Sequence, residues 1–373
     1  MSLAGASCLV TGAGGFLGQR IIHLLLEEEK ELAEIKALDK AFSPETLQNF
    51  GRTEVKILTG DIRDDPFLHG ACQGVSLVIH TASIIDTLGL VEKQLLWEVN
   101  VTGTQLLLET CIRNNVQNFI YTSTIEVTGP NCRGDPIWNG DEGTPYESTI
   151  GFPYAQSKRQ AEKSVLAANG QSLKDGSTLS TCSLRSMYIF GEGCPFLQSH
   201  LDRSLLNKNV FLRISRKEAL VNPVYVGNIA WAHVLVARAL RDPEKAERIR
   251  GRFYYISDDT PHVSYADLNY ELTKEMGFGV EPKLPMPLTM LYYFALLLEV
   301  MSFLLRPFFR YIPPTNRHLV ILLNTPFTFS YRKAQWDFGY APRHQWKEAK
   351  QRTSQWIAAV IPQRRAYLKN KAA

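Results

Sequence analysis

Residues 7–18 read SCLVTGAGGFLG, and the chain runs on as QRIIHLLLEEE through residue 29. A short apolar run ends at a glycine. Apolar side chains then recur at helical spacing from Phe16: Leu17, Ile21, Ile22, Leu24 and Leu25. The pattern predicts a strand over 7–12, a tight turn, and a helix over Phe16–Glu29. Gly12, Gly15 and Gly18 stand three residues apart. A glycine at 12 allows the turn, one at 15 lets a ligand approach the backbone, and one at 18 lets the helix lie close on the strand. The unpaired amides at the helix start then favour an anion such as a pyrophosphate. Ala13, Gly14, Phe16 and Leu17 complete the loop expected to wrap it. A lone glycine triplet is also a common turn. Its place between strand and helix favours the ligand reading.

Working outward, IKALD (35–39), VKILTGD (55–61), SLVIHTA (76–82) and FIYTST (119–124) are short, almost wholly apolar runs, with a helical pattern over Leu95–Asn114. Strands of this kind are buried on both faces, and their alternation with helices predicts an α/β fold: a doubly wound, Rossmann-like parallel sheet. Asp39 ends the second strand about twenty residues past the glycines, where an acid receives the adenosine ribose hydroxyls. Its charge would repel a 2′-phosphate, so NAD is favoured over NADP. Lys40 follows directly and could hold a phosphate. Asp61, at the end of the third strand, is expected to meet the adenine; a turn cap is its plainer role.

The same logic gives meaning to GFPYAQSKRQAEK, residues 151–163, where Tyr154 and Lys158 are four apart at a helix start and share one face. Free tyrosine, with a pKa near ~10, is a poor base at neutral pH, and an adjacent ammonium favours its phenolate. Oxidation of an alcohol by a nicotinamide cofactor needs such a base. It also needs a hydroxyl to hold the substrate oxygen, and Ser123 or Thr124 at the end of the fifth strand can supply it. Tyr154 and Lys158 would touch the cofactor as well.

Length and composition bound the rest. The chain has 373 residues, 45% hydrophobic and 21% charged, with a net charge of +4, which does not suit a nucleic-acid binder. Cys8, Cys72, Cys111, Cys132, Cys182 and Cys194 form no close pairs, so neither a metal site nor a disulfide framework is expected, and a reducing compartment fits. No basic stretch precedes the first apolar run, so no cleavable leader is expected. Residues 288–309, LTMLYYFALLLEVMSFLLRPFF, form an apolar helix about as long as a bilayer is thick, interrupted by Glu299 and flanked by Arg306 and Arg310. Membrane lipid is therefore an expected partner; a buried hairpin beneath the substrate pocket is the rival reading. The expected organisation is a dinucleotide-binding domain over 1–195, to which 222–260 return, and a substrate lobe over 196–285. The hydrophobic segment spans 286–311 and a helical and loop region 312–373.

With these residues in view, TGAGGFLG, TSTIEV and YAQSK resemble the extended short-chain dehydrogenases. NPVYVGNIAWAH (222–233), YYISDDTP (254–261) and the apolar segment narrow the resemblance, over nearly the full length, to the 3β-hydroxysteroid dehydrogenase/Δ5-Δ4 isomerase family. The resemblance implies NAD, a 3β-hydroxy-5-ene steroid, Tyr154 as catalytic acid/base with Lys158 as its partner, and membranes of the endoplasmic reticulum and mitochondrion. A homodimer is compatible with it. It points to Asp258 and Asp259 for the carboxylate that moves a proton from C4 to C6 in the second reaction. A strand-end cap is the other role for these acids, and Glu126, after the fifth strand, is the next candidate. His233 and Trp231 are read as structural. The chain departs from the family at Arg185-Ser186, where Arg-Pro is usual, and at Phe190, where Tyr is usual. Rival readings are another extended short-chain enzyme, such as a sterol dehydrogenase or a sugar-nucleotide epimerase served by Arg203, Arg213 and Arg216. A non-enzymatic dinucleotide-fold binder is the remaining one, though it would be expected to lack Tyr154 or Lys158.

Overall fold

The computed structural model describes residues 2–51, 53, 55–309 and 311–372; Arg310, expected at a membrane interface, lies outside them. Seven strands form one sheet: β1 (Ser7–Thr11), β2 (Glu34–Asp39), β3 (Val55–Thr59), β4 (Leu77–His80), β5 (Asn118–Thr124), β6 (Ser180–Ser186) and β7 (Arg252–Ile256). Their order is β7-β6-β5-β4-β1-β2-β3, every pair parallel. The order reverses between β1 and β4, so a crevice opens beyond their C-terminal ends. Strand β7 forms the edge of the sheet next to β6.

The alternation of side chains along each strand divides the core into two layers. Cys8 and Val10 of β1, Leu77 and Ile79 of β4 and Ile120 of β5 pack with Ile21, Ile22 and Leu25 of α1 (Phe16–Glu28). Leu9, Val78, Phe119 and Tyr121 face the other way. They meet Leu107 and Cys111 of α2 (Thr104–Arg113) and Ala161 and Val165 of α3 (Pro153–Ala167). The helix expected without a break over 95–114 instead passes through a wide π turn, Glu98–Gly103, between Lys93–Trp97 and α2. Within that turn Asn100 accepts from the Ile84 amide at 2.8 Å and donates to Ser157 Oγ of α3 at 3.0 Å. The irregular turn therefore pins the base of the Tyr154 helix.

The stretch 195–280 contains α4 (Pro195–Leu206), short parallel strands Val210–Phe211 and Gly279–Val280, α5 (Val226–Leu240), which packs beside α1, and α6 (Tyr265–Thr273). The stretch 130–152 holds a strand at Ile137–Gly140. It pairs in parallel with Phe327–Phe329 and so ties this stretch to the C-terminal region.

The apolar segment is α7 (Leu288–Leu305), long and apolar enough to cross a membrane. It packs along α8 (Arg317–Asn324), and only Ala295 and Leu298 are buried. Met290, Tyr293, Leu297, Val300, Met301 and Leu304 recur at helical spacing and stay exposed, joined by Phe303 and Phe308. The lone acid faces protein: Glu299 accepts from the Arg317 backbone amide at 2.6 Å and from Arg317 Nε at 2.9 Å. An acid in the middle of an apolar helix is costly without such a partner.

Candidate active site

A cleft of about 970 Å³ runs from the first glycine loop, past the ends of β4, β5 and β6, to α8. At one end the glycines leave no room for side chains. Gly12 has φ +70°, and a Cβ there would lie 2.6 Å from the Ala82 amide nitrogen and from Thr81 Oγ1. A Cβ on Gly18 would come within 2.1 Å of the Gly12 carbonyl oxygen. Helix α1 starts after Gly15 with no side-chain cap, so its leading amides are not taken up by the chain's own side chains. This is an anion cradle at a helix N-terminus. Gly12, Gly15, Phe16, Leu17 and Gly18 line it. Ala13 and Gly14 shape it through backbone bonds, Ala13 N to Leu38 O at 3.1 Å and Gly14 N to Asp39 Oδ2 at 2.9 Å.

Asp39 lines the cleft at the end of β2, with its other carboxylate oxygen bonded to the Lys40 amide at 2.7 Å. Lys40 Nζ lies 3.6 Å from Asp61 Oδ2. Asp61 also lines the cleft, gripped by Arg63 Nη2 at 2.7 Å and Nε at 3.0 Å. The Arg63 hydrogen bonds hold its carboxyl at about 2.

At the middle of the cleft Tyr154, Lys158, Ser123, Thr124 and Ser186 converge. Lys158 Nζ donates to the Thr122 carbonyl at 2.7 Å and sits over the Tyr121 ring, 4.3 Å from its centre. Burial pulls its pKa down to about 7, against the opposing charge of Glu162. Tyr154 differs from expectation. Burial, and then the nearby charge of Glu126, push its phenol well up, while a hydrogen bond with Thr124 pulls it partly back. The ammonium is engaged by a backbone carbonyl and does not offset these effects. Ser123 Oγ is buried with no partner among the described residues, an orphan that asks for a ligand. Ser186 donates to the Ser123 carbonyl at 3.2 Å and so links the ends of β5 and β6. Behind them the buried Arg185–Glu162 pair, at 2.6 Å, stacks on Phe253. Phe190 is fully buried between Tyr225 and Trp346.

Asp258 and Asp259 are not brought to this cleft, which corrects the expectation that one of them is the isomerising base. Asp258 is buried just past β7, where it accepts from the Tyr225 amide (2.8 Å), Asn228 Nδ2 (2.7 Å) and the Thr260 amide (2.9 Å). Burial raises its carboxyl, and these donors resist the rise. Asp259 points outward and accepts from the Tyr331 hydroxyl at 3.0 Å. Both are caps. His233 is structural, as expected, bonded to Thr122 Oγ1 and to the Ile229 carbonyl, each at 2.8 Å. Of the arginines weighed for a diphosphate, Arg213 is paired with Asp267 at 2.7 Å, and Arg216 Nη2 donates to the Asn324 carbonyl at 2.7 Å. Arg203 lines the cleft. Two residues missed on first reading as a pair are Glu126, which does line the cleft, and His318, bonded to it at 3.0 Å. They are 192 positions apart, and no motif surrounds His318.

A phosphate cradle, a ribose-facing acid and a Tyr/Lys pair beside orphaned Ser123 define a nicotinamide-dinucleotide enzyme of the oxidoreductase/epimerase type, and the residues present fit NAD. The model of the 3-beta hydroxysteroid dehydrogenase/isomerase family matches residues 9–288, and the chain belongs to that family, within the extended short-chain dehydrogenases. Solved structures share the fold. The epimerase Mth375 from Methanothermobacter thermautotrophicus is 16% identical, with a TM-score of 0.72 over 97% of this chain and 95% of that one. UDP-glucuronic acid 4-epimerase from Bacillus cereus, in complex with UDP-glucuronic acid and NAD, is 17% identical, with a TM-score of 0.69 over 95% of this chain and 100% of that one. MoeE5 in complex with UDP-glucuronic acid and NAD is 20% identical, with a TM-score of 0.69 over 95% and 100%.

Two outcomes follow from the geometry. Gly18→Ala is expected to lower NAD affinity at least tenfold, because the new methyl forces α1 off the Gly12 carbonyl; titration of NAD by fluorescence quenching checks it. Asp258→Ala is expected to cost about 3 kcal/mol of stability, by stranding three buried donors. Denaturant unfolding measures this, with NAD affinity of the folded fraction retained.

Proposed function

We propose that this protein uses NAD to oxidise a 3β-hydroxy-5-ene steroid to its 3-ketone and then shifts the double bond into conjugation. The observation that carries the reading is the wall of the cleft beyond Tyr154. It is made by Pro285, Leu291, Pro314, Leu319, Val320 and Leu322, a surface suited to a flat hydrocarbon and poor for a sugar. Family membership agrees with it. NAD, when bound, supplies the hydride acceptor. Ser123 holds the C3 oxygen, and Tyr154 handles the hydroxyl proton. Lys158, one helical turn away with a loosely held proton, balances the charge that develops on the phenol.

A sugar-nucleotide epimerase or dehydratase is the second reading. It is favoured by the fold neighbours and by Arg203, whose guanidinium pairs with no acid among the described residues and could meet a diphosphate. Two of the three arginines it would draw on are already engaged, and the apolar wall offers a hexose fewer polar partners than it offers hydrocarbon contacts.

We also propose that α7 lies on a membrane with its exposed apolar stripe in the lipid. The membranes of the endoplasmic reticulum and mitochondrion are the expected ones. Glu299 stays on the protein side through Arg317.

Pregnenolone with NAD is expected to generate NADH, and UDP-glucose to generate none and undergo no epimerisation; the opposite result selects the second reading. Tyr154→Phe is expected to slow steroid oxidation on the order of a thousandfold with NAD binding kept. For the membrane, replacing exposed Leu297, Phe303, Leu304 and Phe308 together by serine removes apolar area that packs on nothing in the protein. Partition onto lipid vesicles is then expected to fall on the order of a hundredfold or more, as read by flotation; unchanged flotation assigns binding to another surface.

A further inference from the structure

One buried amide in the cleft does nothing for the fold. Asn269 of α6 is 4% exposed and lines the cleft, and its side chain is bonded to nothing among the described residues. Other buried asparagines contrast with it. Asn100, Asn222, Asn228, Asn316 and Asn324 each donate and accept within the protein. A buried amide without partners is costly, and it asks for a ligand. The helix that carries it is held firmly. Asp267, two residues earlier, accepts from Arg213 Nη2 at 2.7 Å, from Arg213 Nη1 at 3.1 Å and from Ser264 Oγ at 2.6 Å. Tyr265, one helical turn earlier, lies edge-on to Tyr188 with ring centres 5.4 Å apart. Asn269 therefore faces the cleft about 6 Å beyond Tyr265 along the helix axis.

Helix α4 is polar on its cleft side. Pro195, Phe196, Ser199, His200 and Arg203 line the cleft at helical spacing, while Leu197 and Leu201 are buried in the core. The helix starts beside the reacting centre. Cys194, just before it, lies 4.0 Å from the hydroxyl of Tyr188, two residues past Ser186. At about 1.5 Å per residue Arg203 stands about 12 Å farther out than Pro195, a span comparable with a steroid skeleton. Arg203 differs from the other lysines and arginines that line the cleft. Lys40 and Arg63 lie against Asp61, Arg213 lies against Asp267, and Lys158 donates to the Thr122 carbonyl. Arg203, exposed at the mouth, has neither an acid nor a hydrogen-bond acceptor among the described residues. His200, one turn before it, is kept neutral by burial and then by the Arg203 charge, which bring its pKa down to about 4. The charge at this end of the cleft is thus a single unshared guanidinium.

We propose that the cleft takes a 3β-hydroxy-5-ene steroid whose side chain, at the end remote from C3, carries a carboxylate, with Asn269 donating to its inner oxygen and Arg203 pairing with the acid from the mouth. The inference rests on the steroid reading above and names the kind of steroid. The apolar wall formed by Pro285, Leu291, Pro314, Leu319, Val320 and Leu322 accounts for the rings. It would serve a hydrocarbon tail equally well, and it leaves Asn269 and Arg203 without a purpose. A guanidinium meets a carboxylate with two parallel hydrogen bonds, and an amide in a dry position adds a third. A hydrocarbon tail in the same place would seal the Asn269 amide away unpaired and strip water from Arg203, so the arrangement also rejects the plain sterol. The phosphates of NAD have the leading amides of α1 and do not call on Arg203.

The test uses the purified full chain with NAD and 3β-hydroxy-5-ene steroids that share one ring system. One side chain ends in a carboxylate, one in the methyl ester of that acid, and one in plain hydrocarbon. NADH formation gives kcat/KM for each. The wild type is expected to prefer the acid to its ester about tenfold or more, and to lose part of that preference as salt rises. Arg203→Met keeps the length of the side chain and loses its charge. It is expected to bring the ratio of acid to ester down to about one, through KM rather than kcat, with NAD affinity kept. Asn269→Leu removes the amide at nearly constant volume. It is expected to lower kcat/KM for the acid about tenfold and to raise it for the hydrocarbon-tailed sterol. A wild type that prefers the ester or the plain sterol overturns the proposal. So does an Arg203→Met variant that keeps the wild-type ratio, or an Asn269→Leu variant with the wild-type profile. Weakened NAD binding in Arg203→Met assigns the guanidinium to the cofactor and overturns it as well. A wild type that oxidises none of these steroids, nor pregnenolone, overturns the functional reading and this inference with it. Oxidation of pregnenolone without any preference for the acid overturns this inference alone.

Discussion

The contact on which the rest of the molecule depends is the one between Gly18 and the Gly12 carbonyl. Helix α1 can start where it does only because neither residue carries a side chain, and a single methyl at position 18 would sit 2.1 Å from that oxygen. The same turn brings Gly12 against Thr81 and Ala82 just beyond β4, which closes the gap between the two strands at which the sheet order reverses. Once β1 and β4 are adjacent, β5 and β6 take their places beside them, and the hydroxyls of Ser123 and Ser186 arrive at the same crevice. The dinucleotide cradle and the reacting centre are thus two ends of one steric requirement.

The sequence was legible where physics acts locally. The strands were readable because parallel strands covered on both faces must be apolar almost throughout, and the glycine loop because only glycine tolerates that approach. Tyr154 and Lys158 could be paired because one helical turn separates them. Legibility ended where the decisive partner is distant. The adjacent pair Asp258-Asp259 looks like acid chemistry, yet Asp258 answers to Tyr225 and Asn228, whose positions only the fold reveals. Glu299 looked costly until Arg317 was found against it. Glu126 was visible only as an acid after a strand. What distinguishes it, a histidine from the far side of an apolar hairpin, has no local signal at all.

The centre of the cleft also shows how burial redistributes charge. Lys158 would ordinarily hold its proton firmly; removed from water, it holds it near 7 even with Glu162 close by. Glu162 is in turn committed to Arg185 and to the Ser183 hydroxyl, so it steadies the ammonium without neutralising it. Burial, and then the charge of Glu126 on the opposite side, favour the protonated Tyr154 phenol. A phenol kept in that form is a good donor to an oxygen on which negative charge is building, so the resting arrangement favours stabilising an enolate, whereas drawing a proton from an alcohol needs the phenolate. The two reactions proposed for the cleft therefore call on different protonation states of one tyrosine.

The exposed face of α7 has a further consequence. Its neighbour α8 lines the cleft with one side and supports α7 with another, so on the reading proposed the site draws its ligand from the oily phase against which α7 rests. A hydrophobic substrate is concentrated there by partitioning, and what the enzyme meets is its mole fraction among lipids. An affinity expressed per litre of buffer would then drift with the amount of lipid present. Two preparations of the same protein could differ in apparent affinity with no change in any contact, because the solvent that feeds the site is two-dimensional.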